Sequence, residues 1–232
     1  MKLGELAFAC HVFGLMSDYD SSYKQFLDST RPTIDLMSEV HLKALLKWLN
    51  AWGCRQFAVE HHELAAKEIK DWYGEVIQDL LPVDTTILSL TEGDITMVER
   101  AYAGLIVKTA CYRKLSGERK SRETVGPTGT AKILFALRPN ALIPWDGAMR
   151  EEFGYDGSNR SYGEYLRKVR NDLEEVSRDC KRNSFELRDL PNKLGRPDSS
   201  ITKLIDEYHW VTITRRCPTP SKEELRVWMD WS

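Results

Sequence analysis

The stretch Gly126 to Arg150, GPTGTAKILFALRPNALIPWDGAMR, holds the densest set of residues whose types and spacing could do chemistry. Two glycines three apart, Gly126 and Gly129, let a backbone turn tightly and expose its amides at the start of a helix. Such a turn suits an anion, and a DNA phosphate is the obvious one. Gly126, Thr128, Gly129 and Thr130 would form this phosphate-binding turn, unless it is a plain loop. Arg113, Lys114, Arg119, Lys120 and Arg122 lie just upstream and make this end of the molecule locally basic. Of these, Arg119, Lys120 and Arg122 join Lys132 as further candidate phosphate contacts; a solvated place on its helix is the other reading of Lys132. A proline-bounded loop then leads to Asp146, whose neighbours Pro144 and Trp145 would partly desolvate it and raise its basicity. Asp146 also opens Asp-Gly-Ala-Met-Arg-Glu, an ordinary helix start, and so reads as an N-cap; the two roles are compatible.

Other chemistries fit less well. A phosphate-binding P-loop needs four residues between its glycines, then Gly-Lys-Ser/Thr after a buried strand, and none of this is present. His61 and His62 beside Glu60 and Glu63 lack the second histidine four residues on that a zinc protease helix requires, so they read as a solvated helix start. No serine sits in a nucleophile elbow. The five cysteines are far apart, with no CxxC pair, which predicts reduced thiols and neither a disulfide framework nor a metal site. No cofactor motif is found, and Cys54 reads as a small buried hydrophobe.

The Gly126–Arg150 segment resembles a divergent version of the helix-hairpin-helix DNA glycosylases, the superfamily of endonuclease III, the adenine-mismatch glycosylase and the 8-oxoguanine glycosylase. In that family a Gly-rich hairpin followed by an alanine, similar to Gly126…Gly129-Thr130-Ala131, grips the DNA backbone. A Gly/Pro-rich loop then leads to an essential aspartate, which Asp146 in Pro-Trp-Asp-Gly-Ala-Met-Arg resembles. The family's glycines stand two apart rather than three, and with the alanine aligned Asp146 arrives about one residue early. Members with lyase activity carry a lysine two positions before the alanine. That position is Gly129 here, so the resemblance implies a monofunctional enzyme without lyase chemistry. It implies a mostly helical fold, double-stranded DNA as partner, Asp146 as catalytic carboxylate and hydrolysis of the N-glycosidic bond of a flipped base. The alternative is a non-catalytic helical interaction protein in which Asp146 is only a cap.

The elements that must position these residues are helical. Leu42, Leu45, Leu46, Leu49 and Trp52 form an i, i+3, i+4, i+7 stripe, and Ala65, Ile69, Trp72, Tyr73, Val76 and Leu80 form another. A third helix is predicted from an N-cap at Asp94 through Thr109, a fourth over about Thr130 to Leu137, and a short fifth after Asp146. The sixth carries Tyr162, Tyr165, Leu166, Val169, Leu173 and Val176 inward, while its many Arg and Lys residues interleave with acids on a solvated face. Ile201, Leu204, Ile205 and Tyr208 mark a seventh, and Ser221-Lys222-Glu223-Glu224 is a capping box opening a terminal helix. Strand candidates are Trp210 to Thr214 and, more weakly, Thr85 to Leu90. The zones Ser116 to Gly129 and Asn183 to Ser200 read as loops.

Composition bounds the rest. The 232 residues suit one domain, with two lobes over about 1–93 and 94–232 as an option, and 42% apolar content is enough for a packed core. Thirty-three Lys plus Arg against 35 Asp plus Glu exclude a globally basic DNA-coating protein and an acidic disordered tail. The apolar run Leu6 to Met16 reads as a buried first helix, because Glu5 interrupts a basic lead and no small-x-small cleavage site follows. No run is long enough to span a bilayer, so a cytoplasmic protein is expected. The fold expectation is all-α: a compact multi-helix domain with a helix-hairpin-helix-like unit and at most a small β-ribbon.

Overall fold

Apolar stripes at helical spacing become helices almost wherever they occur. The computed structural model describes residues 1–114, 120–218, 221, 223–224 and 226–227, apart from the side chains of Lys114 and Lys120. In chain order the helices are α1 (Leu3–Met16), α2 (Tyr19–Thr30), α3 (Glu39–Ala51), α4 (His62–Val76), α5 (Glu92–Ile106), α6 (Gly126–Leu137), α7 (Gly147–Glu152), α8 (Asn159–Arg182), α9 (Leu190–Lys193) and α10 (Ile201–His209). One antiparallel ribbon, β1 (Thr109–Lys114) with β2 (Lys120–Thr124), lies between α5 and α6. The fold is all-α with a small β-ribbon, and among the described residues no helix is long and apolar enough to cross a membrane.

One apolar core runs from Leu6 in α1 to Ile205 in α10. Helix α8 crosses it with the six residues of its stripe fully buried, while Arg167 and Arg170 on its outer side bind Glu92 at 2.7 and 3.0 Å. Helix α1 packs on α10 and buries Leu6, Ala9, Cys10 and Phe13. Burial of an apolar face against neighbouring helices, rather than intrinsic propensity, holds these elements in place.

Four expectations are corrected. Trp210 to Thr214 is not a strand but a π-helical turn continuing α10. Among the described residues no strand pairs with it, and Val211 packs with Ala9 and Phe13 while the Thr212 hydroxyl donates to the Tyr208 carbonyl at 2.7 Å. Thr85 to Leu90 contains a 3-10 turn at Ile87–Ser89, tied down where the Ile87 amide donates to the Asn140 carbonyl at 2.9 Å. Helix α5 begins earlier than Asp94, since Thr91 is its N-cap and Asp94 closes the capping box. It also ends at Ile106, so Thr109 opens β1 and part of the presumed loop 116–129 is strand and helix. At the other end of the chain, the Ser221–Glu224 box forms, with reciprocal bonds of 2.7 and 3.2 Å.

The segment read as hairpin-like, Gly126 to Arg150, is α6, a loop over 138–146 and most of α7. Gly126 enters α6 with φ of +68°, the left-handed region that suits glycine. Gly129 lies inside the helix, where an added Cβ would stand 3.2 Å from the side chains of Phe57 and Val125. Its lack of a side chain lets α6 approach the segment after α3 closely.

Candidate functional site

Asp146 is held by a loop that has almost no freedom. Ala141 to Trp145 are buried, the Tyr162 hydroxyl donates to the Ile143 carbonyl at 2.9 Å, and the Trp145 indole donates to the Pro127 carbonyl at 3.2 Å. Arg150 lies 5.5 Å over the Trp145 ring and reaches the Thr128 hydroxyl at 3.0 Å, clamping α7 to the first turn of α6. Asp146 is the N-cap of α7, as its sequence context predicts: Oδ1 accepts the Met149 amide at 2.9 Å. Its other oxygen, Oδ2, accepts the Thr214 hydroxyl at 2.7 Å. The π-turn at Trp210–Thr214 is what brings that hydroxyl into reach, a use often found for such turns.

The carboxylate lines a cavity of about 420 Å³ enclosed by α6, the start of α7, α10 with its π-turn, and the ends of α1 and α3. That size lies within the usual range of about 300–1,000 Å³ for small-molecule sites. Phe13, Tyr19, Trp52 and Trp210 supply aromatic walls, with Phe13 and Tyr19 meeting Trp210 edge-on at centroid distances of 5.3 and 5.9 Å. The Trp52 indole is fixed by donating to the Tyr19 carbonyl at 3.2 Å and to the Ser22 hydroxyl at 3.1 Å. Arg215 stands exposed at the lining, 5.0 Å over Trp210.

The anticipated phosphate turn is dispersed by the structure. Thr128 lines the cavity and Gly126 is half-buried, but Gly129 and Thr130 are buried within α6, out of reach of a phosphate outside. The Thr130 hydroxyl has no hydrogen-bond partner among the described residues. Lys132 is not solvated either. It is buried in the cavity wall, its ammonium donating to the Trp52 carbonyl at 2.6 Å and lying 5.5 Å over that ring. Arg122 sits on the ribbon, away from the cavity lining, with its guanidinium donating to Thr109 at 2.9 Å and to the Val107 carbonyl at 2.5 Å. Arg113 pairs with Glu123 at 3.8 Å. Arg119 and the Lys120 side chain lie outside the described residues.

The helix α10 is the seventh predicted from the sequence, but sequence reasoning missed its buried charged residues. Asp206 lines the cavity at 9% exposure, and burial pushes its carboxyl up to about 7, aided by the nearby carboxylates of Glu207 and Asp146 and opposed by Lys203 and Lys132. Behind the aromatic wall, Lys203 and Glu207 are fully buried and paired at 2.5 Å. Arg196 forks onto Glu207 and reaches Asp20 at 2.6 Å, and Lys203 reaches Asp20 at 3.1 Å. The Lys203 ammonium also lies 4.4 Å over Phe13 and 5.3 Å over Trp52. This two-plus, two-minus cluster is what holds two of the cavity's rings from behind.

His209 ends α10 fully inside, its Nδ1 2.9 Å from the Tyr165 hydroxyl, and burial holds its pKa down to about 3. Folded His209 is thus neutral while unfolded His209 charges below its ordinary value near 6.5. Stability from this residue is complete above that value and drains away as pH falls toward 3. We expect a loss of about 3 kcal/mol between pH 7 and pH 4, absent in His209→Gln, in urea unfolding curves taken across that range. Equal acid sensitivity in the two proteins would rule this out.

His62 Nε2 donates to the Phe57 carbonyl at 3.1 Å, and His41 Nδ1 accepts the Asp35 amide at 2.9 Å. Among the described residues no three His, Cys, Asp or Glu side chains could together hold a metal ion, and all five cysteines are free thiols. Comparison with protein-family models, with curated proteins and with solved structures finds no match for this chain.

Proposed function

We propose that this protein is a DNA-base glycosylase, working without a metal or cofactor, in which Asp146 acts on a base flipped into the aromatic cavity. The observation that carries the reading is a rigidly held carboxylate facing an aromatic-walled space of about 420 Å³. A base within a duplex is inaccessible and must leave the stack to be reached, and flat aromatic walls suit a flat heterocycle. With Oδ1 on an amide and Oδ2 on a hydroxyl, Asp146 keeps a fixed orientation. From there it stabilises positive charge developing at the sugar C1′ and takes a proton from an attacking water. Lys132, donating to a backbone carbonyl, serves as a cation that offsets the two cavity carboxylates. Arg215 at the lining is a candidate phosphate contact in place of the dispersed turn. A cytoplasmic protein with reduced thiols, acting on double-stranded DNA in repair, fits this reading.

A second reading has its own observation. A larger groove of about 790 Å³ runs between α1 and residues 185–196, lined by Leu3, Ala7, Leu15, Phe185 and Leu194. Leu15 there is 75% exposed. A helical interaction protein would use such a groove, with Asp146 reduced to a cap. Base excision from a panel of duplexes, scored by alkaline cleavage at the abasic sites formed, separates the two: only the glycosylase makes such sites.

A further inference from the structure

Asp206 is the least satisfied polar group facing the cavity. Its side chain is nine-tenths buried, and its oxygens have no hydrogen-bond or ion-pair partner among the described residues. The neighbouring buried acid, Glu207, is by contrast saturated by Lys203 and Arg196. A buried carboxyl left without a donor is costly as an anion and keeps its proton, which it then has free to give. Asp146, opposite in chemistry, accepts two hydrogen bonds and offers none. Two carboxyl groups in one cavity with environments pushed apart are a recurring way to assign acid and base.

The walls add a constraint on what enters. Lys132 and Lys203 both lie against Trp52, Lys203 against Phe13, and Arg215 against Trp210. These ring faces already carry cations, so a positively charged heterocycle meets repulsion where an uncharged one does not.

Resting on the reading of the site given above, we propose that Asp206 is the proton donor of this cavity and that the cavity takes an uncharged nucleobase rather than a cationic, ring-alkylated one. As the C1′–N bond breaks, its electron pair passes to the base, and the Asp206 proton goes to an acceptor atom of the departing base. Water adds to C1′ and gives its proton to Asp146. The products are the neutral base and the sugar hydroxyl, with Asp206 left ionised and Asp146 protonated until solvent resets both.

The groups facing Asp206 are Lys203 and Glu207 on its own helix, Lys132 from α6, and Asp146 at the start of α7. Tyr23 from α2 and Tyr165 from α8 also face it, with Cys10 from α1 and Arg196 from the segment before α10 beside Glu207, and Arg215 past the π-turn. Burial raises both phenols and the thiol, so these do not ionise around neutral pH. Asp206, raised to about 7, does.

The test follows the indole N–H signals of Trp52 and Trp210 by NMR while the full-length protein is titrated with adenine at pH 5.5 and at pH 8.5. Adenine is uncharged at both. Its dissociation constant should rise about tenfold at the higher pH in wild type and stay level in Asp206→Asn, whose amide still donates. At pH 5.5, cationic 7-methylguanosine should bind at least tenfold more weakly than guanosine. The proposal is overturned by a pH-independent wild-type constant, by an Asp206→Asn protein that keeps the pH response, by equal binding of the two guanosines, or by no shift of either indole. Absence of excision from every duplex, with the adenine titration as stated, would instead remove the glycosylase reading and leave a base-binding cavity with Asp206 as donor.

Discussion

Replacing Glu207 by alanine is expected to cost about 3–5 kcal/mol of folding free energy, the range found when one partner of a buried charge pair is removed. Lys203 is fully buried, and among the described residues its ammonium forms ion pairs with Glu207 and Asp20 alone. Without Glu207, the Lys203 charge stays in an apolar surround with a single carboxylate at 3.1 Å, and the Arg196 fork loses its main acceptor. The cost reaches the cavity too, because Lys203 supports the Phe13 and Trp52 rings. A paired change, Lys203→Met with Glu207→Leu, removes both charges and should be much closer to neutral. Urea unfolding of the three proteins checks this. A loss under about 1 kcal/mol for Glu207→Ala would show that the cluster is not the buried, mutually dependent unit described here.

Trp145→Ala is the second large effect, also about 3–5 kcal/mol, as for emptying a buried aromatic site. Trp145 is fully buried among Tyr102, Tyr155, Tyr162 and Tyr165, with ring centroids 5.1 to 6.2 Å away. Its indole also ties the loop before α7 to α6 through the Pro127 carbonyl. Trp145→Phe keeps most of the packing and drops that bond, so about 1–2 kcal/mol is expected there. The consequence for the site is positional: Asp146 is the next residue, and the Trp145 indole shares the anchoring of its loop with the Tyr162 hydroxyl on the Ile143 carbonyl. Thermal unfolding gives the stability change, and any excision activity should fall further in Trp145→Ala than the loss of folded protein explains.

How much of this was legible in the sequence depends on what the side chains had to satisfy. The α8 stripe and the capping role of Asp146 were readable because each is a local pattern with a local consequence. The interior of α10 was not. Lys203, Asp206 and Glu207 recur at i, i+3 and i+4, as a buried stripe does, yet charges at that spacing read as a solvated face. Beyond their own pairing, Lys203 and Glu207 rely on Arg196 and the far-off Asp20, and neither of these shows in the local pattern. Trp210 to Thr214 misled through β-branching, since β propensity counts for little without a partner strand. Lys132 misled in the same way as α10: its ammonium finds a backbone carbonyl 80 residues away in sequence. The Gly126–Gly129 pair was recognised as special, but for Gly129 the reason is helix packing rather than an exposed turn.

The central claim is that Asp146 does chemistry on a base and is not only a helix cap. Asparagine caps a helix about as well as aspartate, so Asp146→Asn should leave the unfolding temperature nearly unchanged. Incubating wild type and Asp146→Asn with duplexes carrying a panel of damaged, modified and mismatched bases, then cleaving with alkali, measures the difference directly. The account predicts strand cleavage by wild type on at least one uncharged base, reduced at least about 100-fold in the folded variant. Equal cleavage by the two proteins, or none by wild type across the panel, would contradict it.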